Sequence, residues 1–147
     1  MAGPRGHWPA IQALCDKYGI LLHLDEVICG TGRTGTYFAF EQEGTQPDFV
    51  TIGKGLRGGY APIAGMPING KTVDILKAGS STFSHGQTYQ AHPTSCTTAL
   101  AVQEILKRDQ LVNRCDCKGK SWSSYFEKRS ERASTLATSA AVACSGV

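Results

Sequence analysis

The chain lacks any apolar run approaching the roughly 18 to 20 residues that cross a bilayer, which excludes a membrane-spanning helix from the reading. Its start, MAGPRGHWPA, lacks the apolar core of a secretory signal. It also lacks clustered charge of one sign. The formal net charge of +3 comes from 15 basic and 12 acidic residues scattered along the chain, and no basic run could track a phosphate backbone. Nucleic acid and membrane are therefore set aside as partners, and a soluble protein of the cytoplasm or mitochondrion is expected. A disulfide framework is missing as well: Cys15, Cys29, Cys96, Cys115, Cys117 and Cys144 fall at irregular spacing. Cys115 and Cys117 form a C-x-C pair, but no second pair or histidine cluster completes a tetrahedral site, so no metal is expected. No internal repeat is found.

What is present is an ordinary globular composition, 41% hydrophobic and 18% charged over 147 residues, enough for one domain with a core. Ile11, Leu14, Cys15 and Tyr18 recur at helical spacing between Trp8 and Tyr18, and Gly19 stands where a glycine cap would end the helix. Ile20 to Leu24 is almost continuously apolar, as in a strand covered on both faces of a parallel sheet, and it delivers Asp25 and Glu26 at its carboxyl end. A glycine-rich loop follows, then a second apolar run, Phe49 to Ile52, that ends in Gly53-Lys54-Gly55. A further short strand is expected over Ile63 to Ile68. Asn69 can cap a helix through Lys77 that Gly79 closes. His92-Pro93 opens a longer helix carrying Ala99, Leu100, Val102, Ile105 and Leu106. Helix alternating with buried strand is the grammar of an α/β fold.

Asp25 and Lys54 each stand where an apolar strand runs out into a turn, the edge at which open α/β sheets bind ligands. The plain alternative is a structural salt bridge between the two strand ends. Gly30 to Gly35 matches G-x-G-x-x-G, but Tyr37-Phe38-Ala39-Phe40 follows without a clear helix start. The acidic residues also precede this loop instead of lying about 20 residues beyond it, so the dinucleotide reading is rejected. His23 shares a strand face with Asp25, and a packed histidine is favoured over a supporting role there. Glu26 is read as a local hydrogen-bonding partner, and His85 and His92 as turn and helix-start residues.

The blocks LLHLDEV, GTGRTGTYFAFEQEG, PDFVTIGKGLRGGYAPIAG and FSHGQTYQAHPTSCTTALA, in that order and spacing, resemble the class III aminotransferases, or omega-transaminases. The resemblance runs from about His7 to about Arg114. It implies part of the large domain of a pyridoxal-phosphate-dependent transferase of fold type I, like aspartate aminotransferase. It also implies an enzyme that moves an amino group from an amine or amino acid to a keto or aldehyde acceptor through a lysine Schiff base. Pyridoxal 5'-phosphate needs an amine to hold it and an acid under its ring nitrogen. By resemblance Lys54 is the catalytic and cofactor-binding lysine, and Asp25 the carboxylate that keeps the pyridine nitrogen protonated. Val27 would pack on the ring face, with ordinary core packing as its alternative. Thr88 would reach the cofactor phosphate of a neighbouring subunit, which implies a homodimer; its alternative is a turn or helix cap. The GTGRTG loop would lie near the active site, with Arg33 structural.

Against the family's length the chain reads as truncated: residues 1–115 as a partial cofactor-binding large domain and 116–147 as a divergent tail, disordered or frameshifted. Re-reading Ser134 to Val147 one nucleotide earlier permits HPRDIRGRGLFWG, the kind of segment with which the family enters its small domain. Genomic sequence around codons 115 to 121 would then show an inserted or deleted base or a misplaced splice junction. Two alternatives stay open: another class III-like pyridoxal-phosphate enzyme (a decarboxylase, racemase or aminomutase), or a non-catalytic fragment.

Overall fold

A computed structural model describes residue 4, residues 6–115, residues 119 and 121, and residues 123–131. The tail expected at 116–147, Cys117 and Cys144 included, lies largely outside these. Within it residues 123–131 are helical.

Helix α1, His7–Tyr18, ends at Gly19 with φ 63°, a left-handed cap whose N–H returns to the Cys15 carbonyl. The chain then enters β1, His23–Asp25, which pairs in parallel with β2, Phe49–Thr51, in the register His23 to Phe49, Leu24 to Val50 and Asp25 to Thr51. Between the two strands lie the glycine-rich loop and a short 3-10 helix, Ala39–Glu43. Past β2 comes a second short 3-10 helix, the lysine turn Lys54–Arg57, followed by α2, Gly70–Ala78, and α3, Pro93–Arg108. The core is Leu22, Leu24, Val50 and Ala99, with α3 packed on the lysine turn. Each of the larger side chains removed from water there contributes about 1.5 to 3 kcal/mol.

Two expectations are corrected. The first strand is not covered on both faces. Leu22 and Leu24 are buried, whereas Ile20 and Leu21 are exposed and His23 and Asp25 share the open face. An apolar run signals burial, but the described chain supplies neighbours for only one face of this two-stranded sheet. The strand expected over Ile63 to Ile68 is only a pair of antiparallel bridges, Ile68 with Phe49 and Gly65 with Ile52. Pro62 and Pro67 have no N–H to give a ladder, and Val50 N–H bonds the Pro67 carbonyl instead.

The amino ends of the strands are tied by Asp48. Its carboxylate accepts from Leu22 N–H at 2.8 Å and from Asn69 Nδ2 at 2.7 Å. Asn69 Oδ1 meanwhile caps α2 by accepting from Thr72 N–H at 2.9 Å, as its position before the helix leads one to expect. One carboxylate thus joins the entries to both strands and to α2, leaving the carboxyl edge clear.

Candidate active site

Parallel pairing brings the two strand exits to one edge. Glu26 N–H donates to the Thr51 carbonyl at 2.9 Å, one residue past the ladder, so the chain after Asp25 and the chain after Thr51 leave side by side. Asp25 is exposed there, and its Oδ1 accepts from Val27 N–H at 2.9 Å, a local turn that swings Val27 inward. Val27 lies over Gly53: a Cβ built on that glycine would meet Val27 Cγ1 at 3.5 Å and Ala64 Cβ at 3.9 Å. Asp25, Val27 and the lysine turn are therefore brought together.

Lys54 follows Gly53 directly, is exposed, and has φ 32°, in the left-handed region that side chains other than glycine disfavour. Its turn closes through Leu56 N–H to the Gly53 carbonyl at 2.8 Å. Thr31 of the glycine-rich loop, itself at φ 59°, abuts Gly55 so closely that an added Cβ would lie 3.0 Å from Thr31 Cβ. A side chain at position 55 would thus need Thr31 to give by a few tenths of an ångström.

The salt-bridge alternative is absent: among the described residues the ion pair is Arg108 with Asp109, at 2.8 Å on the surface. There the side-chain hydrogen bond between them, with their opposite charges adding to it, holds the Asp109 carboxyl below its usual range and raises Arg108. Neither Asp25 nor Lys54 has an ion-pair partner among the described residues. No group of metal-binding side chains occurs among them either.

Glu26 is the buried acid of the site. Its carboxylate accepts from Ala39 N–H at 3.1 Å and Phe40 N–H at 3.2 Å, capping the 3-10 helix that ends the glycine-rich loop. Two charge-assisted bonds of this kind offset the cost of burying the charge. His23 is not the packed histidine expected. It lies on the exposed face beside Asp25, with Nε2 2.6 Å from Thr51 Oγ1 and its ring edge-on to Phe49. Arg33 is exposed. Thr88 stands apart, in the exposed turn 88–91, and its side chain has no hydrogen-bond partner among the described residues.

The sequence reading missed a pair of side chains that reach the lysine turn. Tyr37 Oη donates to Gln103 Oε1 at 2.8 Å, and Gln103 Nε2 donates to the Leu56 carbonyl at 2.9 Å. Burial pushes the Tyr37 phenol up from its ordinary pKa. A signal was available: Gln103 interrupts the apolar stripe of α3 between Val102 and Ile105.

A family model described as aminotransferase class-III matches residues 2–138, past the region near Cys115 where the resemblance of the sequence blocks ends. The chain is 54% identical over 109 residues to an aminotransferase of Gibberella zeae, an alignment covering 74% of this chain and 21% of that protein. Among solved structures, a transaminase from the marine bacterium Virgibacillus superposes with a TM-score of 0.84 at 36% identity, over 88% of this chain and 29% of that one. The taurine:2-oxoglutarate aminotransferase from Bifidobacterium kashiwanohense, solved in complex with PLP and glutamate, superposes with a TM-score of 0.82 at 30% identity. That superposition covers 89% of this chain and 29% of the other. The chain spans about a quarter of the length of the curated relatives it matches.

Proposed function

The chain belongs to the class III aminotransferases, pyridoxal-phosphate enzymes of fold type I, and from that premise we propose that it carries the lysine and the ring-nitrogen carboxylate of their cofactor site. The parent enzyme moves an amino group from an amine or amino acid to a keto or aldehyde acceptor, and works as a homodimer. The observation that carries this reading is that Asp25 and Lys54 leave adjacent parallel strands at one edge, with no ion pair between them.

The donor set fits the group. Pyridoxal 5'-phosphate, when bound, supplies an aldehyde that condenses with amines and a protonated pyridine ring that draws electrons from the neighbouring bonds. Lys54 Nζ would be the amine that holds it, and the same group would move the proton at the substrate's α carbon. Asp25, its Oδ1 accepting from Val27 N–H, would be the carboxylate that keeps the ring nitrogen protonated. Val27, fixed over Gly53, would pack on the ring face and exclude water there. Thr88, exposed and without a hydrogen-bond partner among the described residues, offers its hydroxyl and backbone N–H to the phosphate in the neighbouring subunit. Cytoplasm or mitochondrion suits the free thiols Cys15, Cys29, Cys96 and Cys115. No helix among the described residues is long and apolar enough to cross a membrane.

The test is an absorbance spectrum of the purified chain mixed with pyridoxal phosphate, beside Lys54→Ala. A visible band of lysine-bound cofactor that the substitution abolishes is the expected result. Identical spectra would end the reading.

A further inference from the structure

A left-handed backbone at a lysine persists only where its surroundings over-determine it, and Lys54 sits at φ 32°. The surroundings grip its turn from two sides. On one side Thr31 abuts Gly55. On the other is α3, where Val102 reaches Gly58, whose added Cβ would lie 3.5 Å from Val102 Cγ2. Gln103, next along the helix, is half-buried between the lysine turn and Tyr37.

The direction of both Gln103 bonds is forced by chemistry. The Leu56 carbonyl can only accept, so the amide nitrogen must face it, at 2.9 Å. The amide oxygen is thereby left to Tyr37, whose phenol must donate, at 2.8 Å. Burial of Tyr37 favours that neutral, donating form. Tyr37 is itself tied to the glycine-rich loop, because its carbonyl accepts from Gly32 N–H at 3.1 Å. Leu56 N–H, in turn, bonds the Gly53 carbonyl, so fixing Leu56 fixes both flanks of Lys54. An apolar residue at position 103 would continue the stripe of α3 and fill the space, but it could not set the rotation of the turn.

We propose that Gln103 is a positioning residue for Lys54: its paired bonds to the Leu56 carbonyl and the Tyr37 phenol brace the turn that begins at the lysine, so that Nζ is presented from one backbone conformation. The inference rests on the cofactor role proposed for Lys54. Gln103 touches neither cofactor nor substrate; it acts through the Leu56 carbonyl.

The test is amide hydrogen exchange, read by mass spectrometry on the purified full chain without cofactor, for the unaltered protein and for Gln103→Met, Gln103→Glu and Tyr37→Phe. Methionine keeps the length of the side chain and removes both bonds. Glutamate keeps the acceptor for Tyr37 and replaces only the donor to Leu56. In both Gln103 variants the Leu56 and Gly58 amides should exchange about 3- to 10-fold faster, with protection in β1 and β2 unchanged; Tyr37→Phe should have a smaller effect. The second readout is the share of borohydride-fixed pyridoxal phosphate found on Lys54 against Lys71 and Lys77. A contact that served packing alone would leave this share unmoved, whereas the brace predicts a fall of about twofold or more in the Gln103 variants.

Unchanged exchange in both Gln103 variants overturns the proposal, as does an effect of methionine that glutamate does not share, since that would be packing. If Gln103→Met loses protection throughout, the other two variants decide. Loss throughout in all three, or no protection of this turn in the unaltered chain, also overturns it. Faster exchange together with no fixation on Lys54 in the unaltered chain supports the brace and overturns the cofactor role alone.

Discussion

Around the carboxyl edge of the sheet three residues are held by other parts of the same chain: Glu26 by two amides of the following 3-10 helix, Thr31 by Gly55, Leu56 by Gln103. Residues 79–94 differ in kind. All are exposed, and their side-chain bonds, such as Ser80 to Thr82 and Ser81 to Lys77, reach only near neighbours in sequence. The two regions carry the two ends of the proposed site, Asp25 and Lys54 in the first and Thr88 in the second. The contrast teaches that the proposed ring end is organised by contacts between distant parts of the described chain, whereas the proposed phosphate end is tied only to its near neighbours.

The strongest way to break the contrast is to disrupt the first region from within. Gly30→Ala would set a Cβ 2.7 Å from the Glu26 carbonyl oxygen, a backbone contact that cannot relax cheaply. We expect a loss of about 3 kcal/mol of stability by urea denaturation. Glu26→Ala should cost about 2 kcal/mol by the same measurement, because it leaves the Ala39 and Phe40 amides without their acceptor. Thr88→Val sharpens the contrast from the other side. Stability should change by no more than about 0.5 kcal/mol, since the side chain is exposed and without a hydrogen-bond partner among the described residues. Affinity for pyridoxal phosphate in the proposed dimer should nevertheless fall roughly tenfold, the worth of one hydrogen bond to a charged group. A large stability loss with unchanged affinity would place Thr88 among the structural residues instead.

Much of this was legible in the sequence because the signals were local. Gly19 ended α1, Asn69 capped α2 and His92-Pro93 opened α3, each through chemistry confined to a few neighbouring residues. The edge position of Asp25 and Lys54 followed from where two apolar runs stopped. What was not legible depended on contacts distant in sequence. Whether Ile20 and Leu21 are covered depends on what packs against that face, which an apolar run does not report. The reduction of the expected strand at Ile63 to Ile68 to bridges is the exception: Pro62 beside it and Pro67 within it are local signals that hydrophobicity alone does not register. Asp48 and Gln103 act across 26 and 47 residues of separation to Leu22 and Leu56, so nothing in their local context marks the partner.

Asp25 and Lys54 are proposed to act on one bound ring. The most direct measurement is a double-mutant cycle on the affinity for pyridoxal phosphate, comparing the unaltered chain with Asp25→Asn, Lys54→Ala and the double variant. Each single change should weaken binding, and the two should be coupled by about 1 kcal/mol or more if the carboxylate and the amine grip the same molecule. Strictly additive losses, or no loss from either substitution, would contradict it.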